Sequence, residues 1–272
     1  MSFLNIENNK FLIFGAANKR SVAYHISKKL EENGAITIHS VQNEKNAEAV
    51  AKLFPSCEIQ ICDVEKEEQV YSLASRIKQK HGELNGIAHS LAYANYSEGL
   101  KPFYETRKKD FLQAMDISCF SIISIANAFR GVLNRDASVI AISISSTNMA
   151  VENYGYMAPV KAALDSAICF LAKSFSNFSN IRFNTIAASL LKTSASAGIP
   201  GYLDYYEFAA KLTLRKKNLM TEEVGSLGAF LLSPASSGIN AQRVVIDAGM
   251  SVNYFDNEVM KLAAIGAKKS SE

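Results

Sequence analysis

The chain lacks a charge of dominant sign: 29 lysines and arginines stand against 26 aspartates and glutamates over 272 residues, a net of +3. That balance gives no electrostatic case for nucleic acid or a membrane surface and leaves small molecules as the expected partners. Cysteine is scarce. Cys57, Cys62, Cys119 and Cys169 are scattered without metal-ligand spacing, so no metal is expected, and three sit in apolar runs, as buried free thiols of a reducing compartment would. The opening "MSFLNIENNK" has no charged leader followed by an apolar stretch, and no run approaches bilayer length, which predicts a cytoplasmic protein. Pro/Ser-rich linkers and internal repeats are missing too, which argues for one α/β domain over residues 1–272.

What is present is a rhythm of short apolar runs and longer helical patterns, in a chain that is 48% hydrophobic and able to bury a sizeable core. "KFLIFG" predicts a buried strand, followed by a helix from about Ser21 to Asn33 with Val22, Ile26 and Leu30 on one face and Gly34 closing it. "AITIHS", "CEIQIC", "GIAHS", "ASVIAIS", "IRFNTIAAS" and "RVVIDAG" supply six more strands. Between them fall helices over "EKNAEAVAKLF", from beyond Asp63 to "KHG", as one extended helix from about Lys108 to Leu133, over "PVKAALDSAICFLAKSFS", and over "TEEVGSLGAFLLS" with Thr221 as N-cap. Seven strands alternating with helices predict a doubly wound Rossmann-type fold with a parallel sheet, whose ligand sits at the carboxyl ends of the strands.

Those ends therefore become the candidate site. After the first strand comes "GAANKRS", where only Gly15 is a glycine; Ala16 and Ala17 still permit close backbone approach, and a helix starting at Ser21 and Val22 favours an anion. A plain polar loop accounts for this stretch equally well. After the second strand Gln42 stands where a ribose-binding carboxylate is usual, with no arginine beside it, which tilts the expected dinucleotide toward NADH and leaves NADPH open, Lys45 being near. Asp63 serves as a helix N-cap, an adenine contact, or both.

In "NYGYMAPVK", two tyrosines precede one lysine. If the segment is helical, Tyr154 falls within roughly 20° of Lys161 around the axis and Tyr156 points elsewhere. Taken alone, a helix with surface aromatics fits as well.

Together these pieces resemble the NADH-dependent enoyl-acyl carrier protein reductases, a divergent branch of the short-chain dehydrogenase/reductases, across nearly the whole chain. The family's first-turn pattern is matched by Gly15, Ala17, Lys19, Ser21, Val22, Ala23 and Tyr24; its later motifs by Gln42-Asn43, Asp63-Val64, His89-Ser90 and Asp116-Ile117-Ser118. Tyr154 and Lys161 show the family's separation by six residues, where ordinary relatives use three. The resemblance implies Tyr154, Lys161 and Ser143 as catalytic residues. It further implies dinucleotide contacts at Gly15, Ala17, Ser21, Val22, Gln42, Asp63, Val64, Ser90, Leu91, Ala92, Ile117, Lys161, Leu191 and Thr193, and substrate contacts at Ala94, Ile144, Tyr154 and Tyr205, with a substrate loop or helix at about 189–217. It implies a homotetramer reducing the C=C bond of a small-molecule or carrier-bound enoyl thioester in fatty-acid synthesis. A carbonyl reductase on the same scaffold is the alternative, and a non-catalytic dinucleotide binder a third.

The chain departs from that pattern at four places. Ile144 replaces a second tyrosine, Ser189-Leu190 replaces Gly-Pro, Ala92 stands where glycine is common, and "PGYLDYYEF" is acidic where basic residues usually meet the carrier protein.

Overall fold

Along β1 (Lys10–Phe14) alternate side chains feed opposite layers: Leu12 and Phe14 enter one apolar cluster, Phe11 and Ile13 the other. That two-residue alternation in an all-apolar strand is what a central parallel strand covered on both faces demands. The computed structural model describes residues 3–152 and 155–269. After β1 come α1 (Val22–Glu32), β2 (Ile36–Val41), α2 (Glu44–Leu53), β3 (Glu58–Ile61), α3 (Glu67–His81), β4 (Leu84–His89), α4 (Lys108–Met115) and α5 (Ser121–Ala128). The second half holds β5 (Leu133–Ile144), α6 (Met157–Phe175), β6 (Arg182–Ala188), α7 (Ser194–Ala197), α8 (Tyr202–Leu212), α9 (Thr221–Leu232), β7 (Arg243–Ile246) and α10 (Asn257–Lys269).

Every strand pairing is parallel, in the order β3-β2-β1-β4-β5-β6-β7. The chain winds outward from β1 to β3 and then returns to lay β4 on the other side of β1, so the crossover direction reverses between β1 and β4 and opens a crevice there. Ile26 and Leu30 of α1 with Val224 and Leu231 of α9 cover one face; Ile77 of α3, Ile122 and Ile125 of α5, and Val160 and Leu164 of α6 cover the other. The predicted doubly wound Rossmann-type α/β fold is observed.

Several expectations are corrected. The long helix ends at Ala128 and is not uniform: Asp116–Phe120 form a π-helical turn between α4 and α5. Taken as one span, Lys108–Ala128 is long and apolar enough to cross a bilayer, contrary to the expectation that no run would be. Ala114, Ile122 and Ile125 of that span are buried in the core. β5 begins at Leu133, which pairs with Leu84, five residues before "SVIAIS"; the polar entry Asn134-Arg135-Asp136 carries no apolar alternation to announce it. Thr221 is the first residue of α9 and makes no capping bond; the Glu223 carboxylate instead accepts the Met220 N–H at 2.8 Å. Asp63 precedes α3 by four residues and is not its cap. Of the cysteines, Cys62 and Cys119 are buried, Cys57 is half-buried and Cys169 is exposed, all four as free thiols.

Candidate active site

The carboxyl ends of β1, β2, β4, β5 and β6 surround a cavity of about 1080 Å³ that runs from Gln42 to Tyr202. Gly15 starts its floor at φ +91°, where a Cβ would lie 2.1 Å from Ser90 O; backbone geometry and the neighbouring strand end both require glycine. The loop is then tied off locally. The Ser21 hydroxyl donates to Asn18 O at 2.6 Å and accepts from Ala17 N at 3.3 Å, and the Asn18 amide donates to Ser194 Oγ at 2.7 Å. Ser21 thus spends its side chain on the loop and caps nothing, and the first turn of α1 carries no acid, so the helix amides are left for an anion.

At the second end of the cavity lie Ser40, Gln42, Asn46, Asp63, Val64 and Glu65. Asp63 organises this turn, its amide donating to Gln69 Oε1 at 2.8 Å and its carboxylate accepting from Glu65 N at 3.3 Å. Among the described residues Lys161 is the only lysine or arginine that lines the cavity itself; Lys66 lines the adjoining hollow with Gln42 and Asp63.

Lys161 sits at the opposite end. Only 3% exposed, its ammonium donates to Ile142 O at 2.7 Å and Leu91 O at 3.0 Å, bridging the ends of β5 and β4. Burial pulls its pKa down to about 8, against the opposing pull of Asp165 and Cys119. The π turn presents Ile117 to the cavity and ties its neighbour Ser118, whose hydroxyl accepts the Tyr93 N–H at 2.9 Å. Behind it, Ser121 Oγ donates to Ile117 O and lies 2.7 Å from His89 Nε2, so the imidazole carries its proton on Nε2. Burial, with the Lys161 charge behind it, holds His89 neutral by pushing its pKa down to about 3.

Ser40, Ser143 and Ser189 line the cavity with buried hydroxyls that have no partner among the described residues. Buried hydroxyls without a partner in the lining of a largely apolar cleft suit a ligand that brings ribose and phosphate oxygens, and the Gly15 cradle and open α1 terminus suit its pyrophosphate. The residues fit a dinucleotide.

Of the predicted site residues, Gly15, Ala17, Ser21, Val22, Gln42, Asp63, Val64, Ser90, Leu91, Ala92, Ala94, Ile117, Ser143, Ile144, Lys161, Leu191 and Thr193 all line this one cavity. Tyr154 lies outside the described residues. Its expected helical phase with Lys161 does not apply, since Gly155 takes φ +85° and α6 begins only at Met157. Tyr156 is a core residue: 6% exposed, edge-on to Phe111, its hydroxyl accepting the Asn95 N–H at 3.0 Å. Tyr205 is not a lining residue; Tyr202 is, its hydroxyl donating to Leu191 O at 2.9 Å. The Thr193 hydroxyl is engaged as N-cap of α7, accepting from Ser196 N at 3.1 Å. Sequence reasoning placed Asn18 in the first turn and Ser194 and Tyr202 in the 189–217 segment without singling them out as lining residues. It likewise missed that Glu31, His39 and Cys57 meet beside β2, their donor atoms within 4.8 Å. There Thr37 Oγ1 donates to Glu31 Oε1 at 2.6 Å and Cys57 Sγ donates to the same oxygen at 3.1 Å, closing a hydrogen-bonded network away from the cleft.

Comparison with known proteins agrees with this geometry. The family model described as enoyl-(acyl carrier protein) reductase matches residues 15–251. The enoyl-[acyl-carrier-protein] reductase [NADPH] FabI of Staphylococcus aureus is 32% identical over 251 residues, 90% of this chain and 98% of that one. The corresponding [NADH] FabI of Nostoc sp. is 32% identical over 256 residues, 92% of this chain and 98% of that one. The crystal structure of enoyl-[acyl-carrier-protein] reductase (NADH) from Aquifex aeolicus superposes with a TM-score of 0.88 at 30% identity, covering 93% of this chain and all of that one. A match that begins at the Gly15 cradle, passes through the buried Lys161 and runs beyond the last strand spans the whole site, and the chain belongs to the enoyl-(acyl carrier protein) reductase family.

Proposed function

We propose that this protein reduces the C=C bond of an enoyl thioester with NADH, as an enoyl-acyl carrier protein reductase of fatty-acid synthesis. The observation that carries the reading is the buried Lys161 ammonium, pinned between Leu91 O and Ile142 O at the end of a cleft built for a dinucleotide. When bound, the dinucleotide supplies the hydride. Hydride addition at the β-carbon throws negative charge onto the thioester oxygen, and the Tyr154 hydroxyl is the donor assigned to it, an electrostatic role of several kcal/mol in comparable oxyanion sites. Lys161 would hold the nicotinamide ribose hydroxyls through its charged hydrogen bonds. Ser143 offers to the substrate end a hydroxyl without a partner among the described residues, and Ala94 and Ile144 wall it; from the segment 189–217, Leu190, Ile199 and Tyr202, in the place first given to Tyr205, complete the wall for the acyl chain.

Asp63 and Glu65 at the adenosine end support NADH, because a 2′-phosphate there would meet carboxylates, with Lys66 in the adjoining hollow as the cation beside them. Exposed Leu112, Phe120, Ile123 and Phe170 on the α4–α6 layer support the homotetramer, and four free thiols support the cytoplasm. One domain accounts for the single sheet.

The test follows NADH and NADPH oxidation with crotonyl thioesters of carrier protein and coenzyme A, and separately with ketones. Thioester-dependent oxidation that prefers NADH is expected. Consumption with ketones only would replace the reading by a carbonyl reductase, and no consumption with either by a non-catalytic binder.

A further inference from the structure

β5 outruns its neighbour. His89, the last residue of β4, pairs with Ala141, and from Ile142 to Ile144 only β6 runs alongside. This projecting end, continued by Ser145, is the wall of the cleft nearest Lys161. Two cations hold it. Lys161 takes Ile142 O from within the cleft. Arg243, the first residue of β7 and not a lining residue, reaches it from outside, with Nη2 donating to Ile144 O at 3.0 Å and to Ser145 O at 2.7 Å. Its Nε donates to Asp165 Oδ2 at 3.0 Å. Asp165 stands on α6 about one helical turn after Lys161, so the planar guanidinium fixes the projecting backbone to the helix that carries the lysine.

We propose that Arg243 is a positioning residue for the substrate: it locks the Ile144–Ser145 backbone to α6, so that the substrate wall and Lys161 share one rigid frame. The inference rests on the reductase reading of the cleft and extends it to a residue outside the cavity. The lock also has an electrical side. Lys161 is faced by His89 from β4, Cys119 from the π turn and Asp165 from its own helix, and Asp165 is the group that most favours its charged form. Arg243 offsets that carboxylate. Loss of Arg243 therefore loosens the wall and leaves Asp165 acting on Lys161 uncompensated.

The experiment uses the full chain with NADH and crotonyl thioester. Arg243→Gln is expected to lower kcat/KM for the thioester about ten- to a hundredfold, the size of effect a small misplacement produces, with the NADH dissociation constant by fluorescence held within about twofold. Arg243→Lys, which keeps the charge opposite Asp165 but not the planar fork, recovers part of the loss. The basic limb of the pH profile separates the partners: Asp165→Asn moves it to lower pH and Arg243→Gln to higher pH. A kcat/KM for Arg243→Gln within about twofold of wild type overturns the proposal, as does a parallel loss of NADH binding, which marks general damage. If wild type itself spares thioesters and consumes ketones, the reductase reading has failed instead, and the same variants are read on the ketone.

Discussion

Replacing Lys161 by methionine separates what the ammonium does for the reaction from what it does to the fold. Burial pulls its pKa from 10.5 to about 8. At about 1.4 kcal/mol per pH unit, keeping this ammonium in the folded, ligand-free protein at pH 7 costs about 3 kcal/mol. Methionine fills the same space without charge but leaves Leu91 O and Ile142 O without their donor, a loss of about 1 kcal/mol for each carbonyl, moderated by cleft water. Lys161→Met should therefore be about 1 kcal/mol more stable than wild type at pH 7 in urea unfolding without ligand. The pH dependence gives the sharper check. Between about 8 and 10.5 the folded chain sheds this proton while the unfolded chain keeps it, so wild-type stability rises with pH across that window and the variant's does not. The difference should shrink and change sign by about pH 10, while NADH affinity falls at least about tenfold for lack of the charged hydrogen bonds. A variant that is less stable than wild type by the same amount at pH 7 and pH 10 would refute the account of Lys161 as a strained ammonium held for function.

Three further outcomes are expected. Gly15→Ala puts a Cβ 2.1 Å from Ser90 O at a positive φ, so urea unfolding should show a loss of about 1–3 kcal/mol, with weaker NADH binding by fluorescence titration. His39 and His89, whose pKa values burial pushes down to about 4 and about 3, stay neutral in the fold. The unfolded chain takes up protons first below about pH 6.5, so their contribution is complete above that pH and is lost as pH falls, at about 1.4 kcal/mol per unit for each histidine. His39→Gln should halve that part of the slope measured between pH 6.5 and pH 5. Tyr156→Phe removes the acceptor of the Asn95 N–H and should cost about 1 kcal/mol of stability while turnover persists; Tyr154→Phe should do the reverse, lowering kcat about a hundredfold. Loss of turnover in the Tyr156 variant alone would overturn the assignment of the two tyrosines.

The strands and most helices were legible because apolar runs of period two, and faces built from residues such as Val22, Ile26 and Leu30, are local signals that the core later uses as they stand. Strand ends were legible for the same reason, which is why residues as distant as Gly15, Gln42 and Asp63 are grouped by the sequence, while Ser143 and Lys161 join them through the family pattern. What failed was geometry set by backbone conformation or by distant partners. A 100° helical increment linked Tyr154 to Lys161 through Gly155, whose φ of +85° no helix accommodates. Tyr202 rather than Tyr205 meets the cleft because its hydroxyl reaches Leu191 O, a contact between segments that carries no periodic signature. Arg243 was invisible as a site residue since its three partners lie on β5, its flanking turn and α6, far along the chain.

The π turn over Asp116–Phe120 also bears on how this chain tolerates insertion and deletion. A wide turn holds one residue more than the α-helix around it, so removing a single residue there would restore regular winding and make the helix locally more ideal. The wide turn winds each residue through roughly 80° instead of 100°, so Asp110 and Ala114 before it and Ile122 and Ile125 after it share one buried face, which a regular helix of the same length would split by about 80°. Deleting one residue would keep those two faces in register and leave the core contacts in place. The loss would fall on the cavity-facing Ile117, so the extra residue serves the cleft and not the packing of the helix.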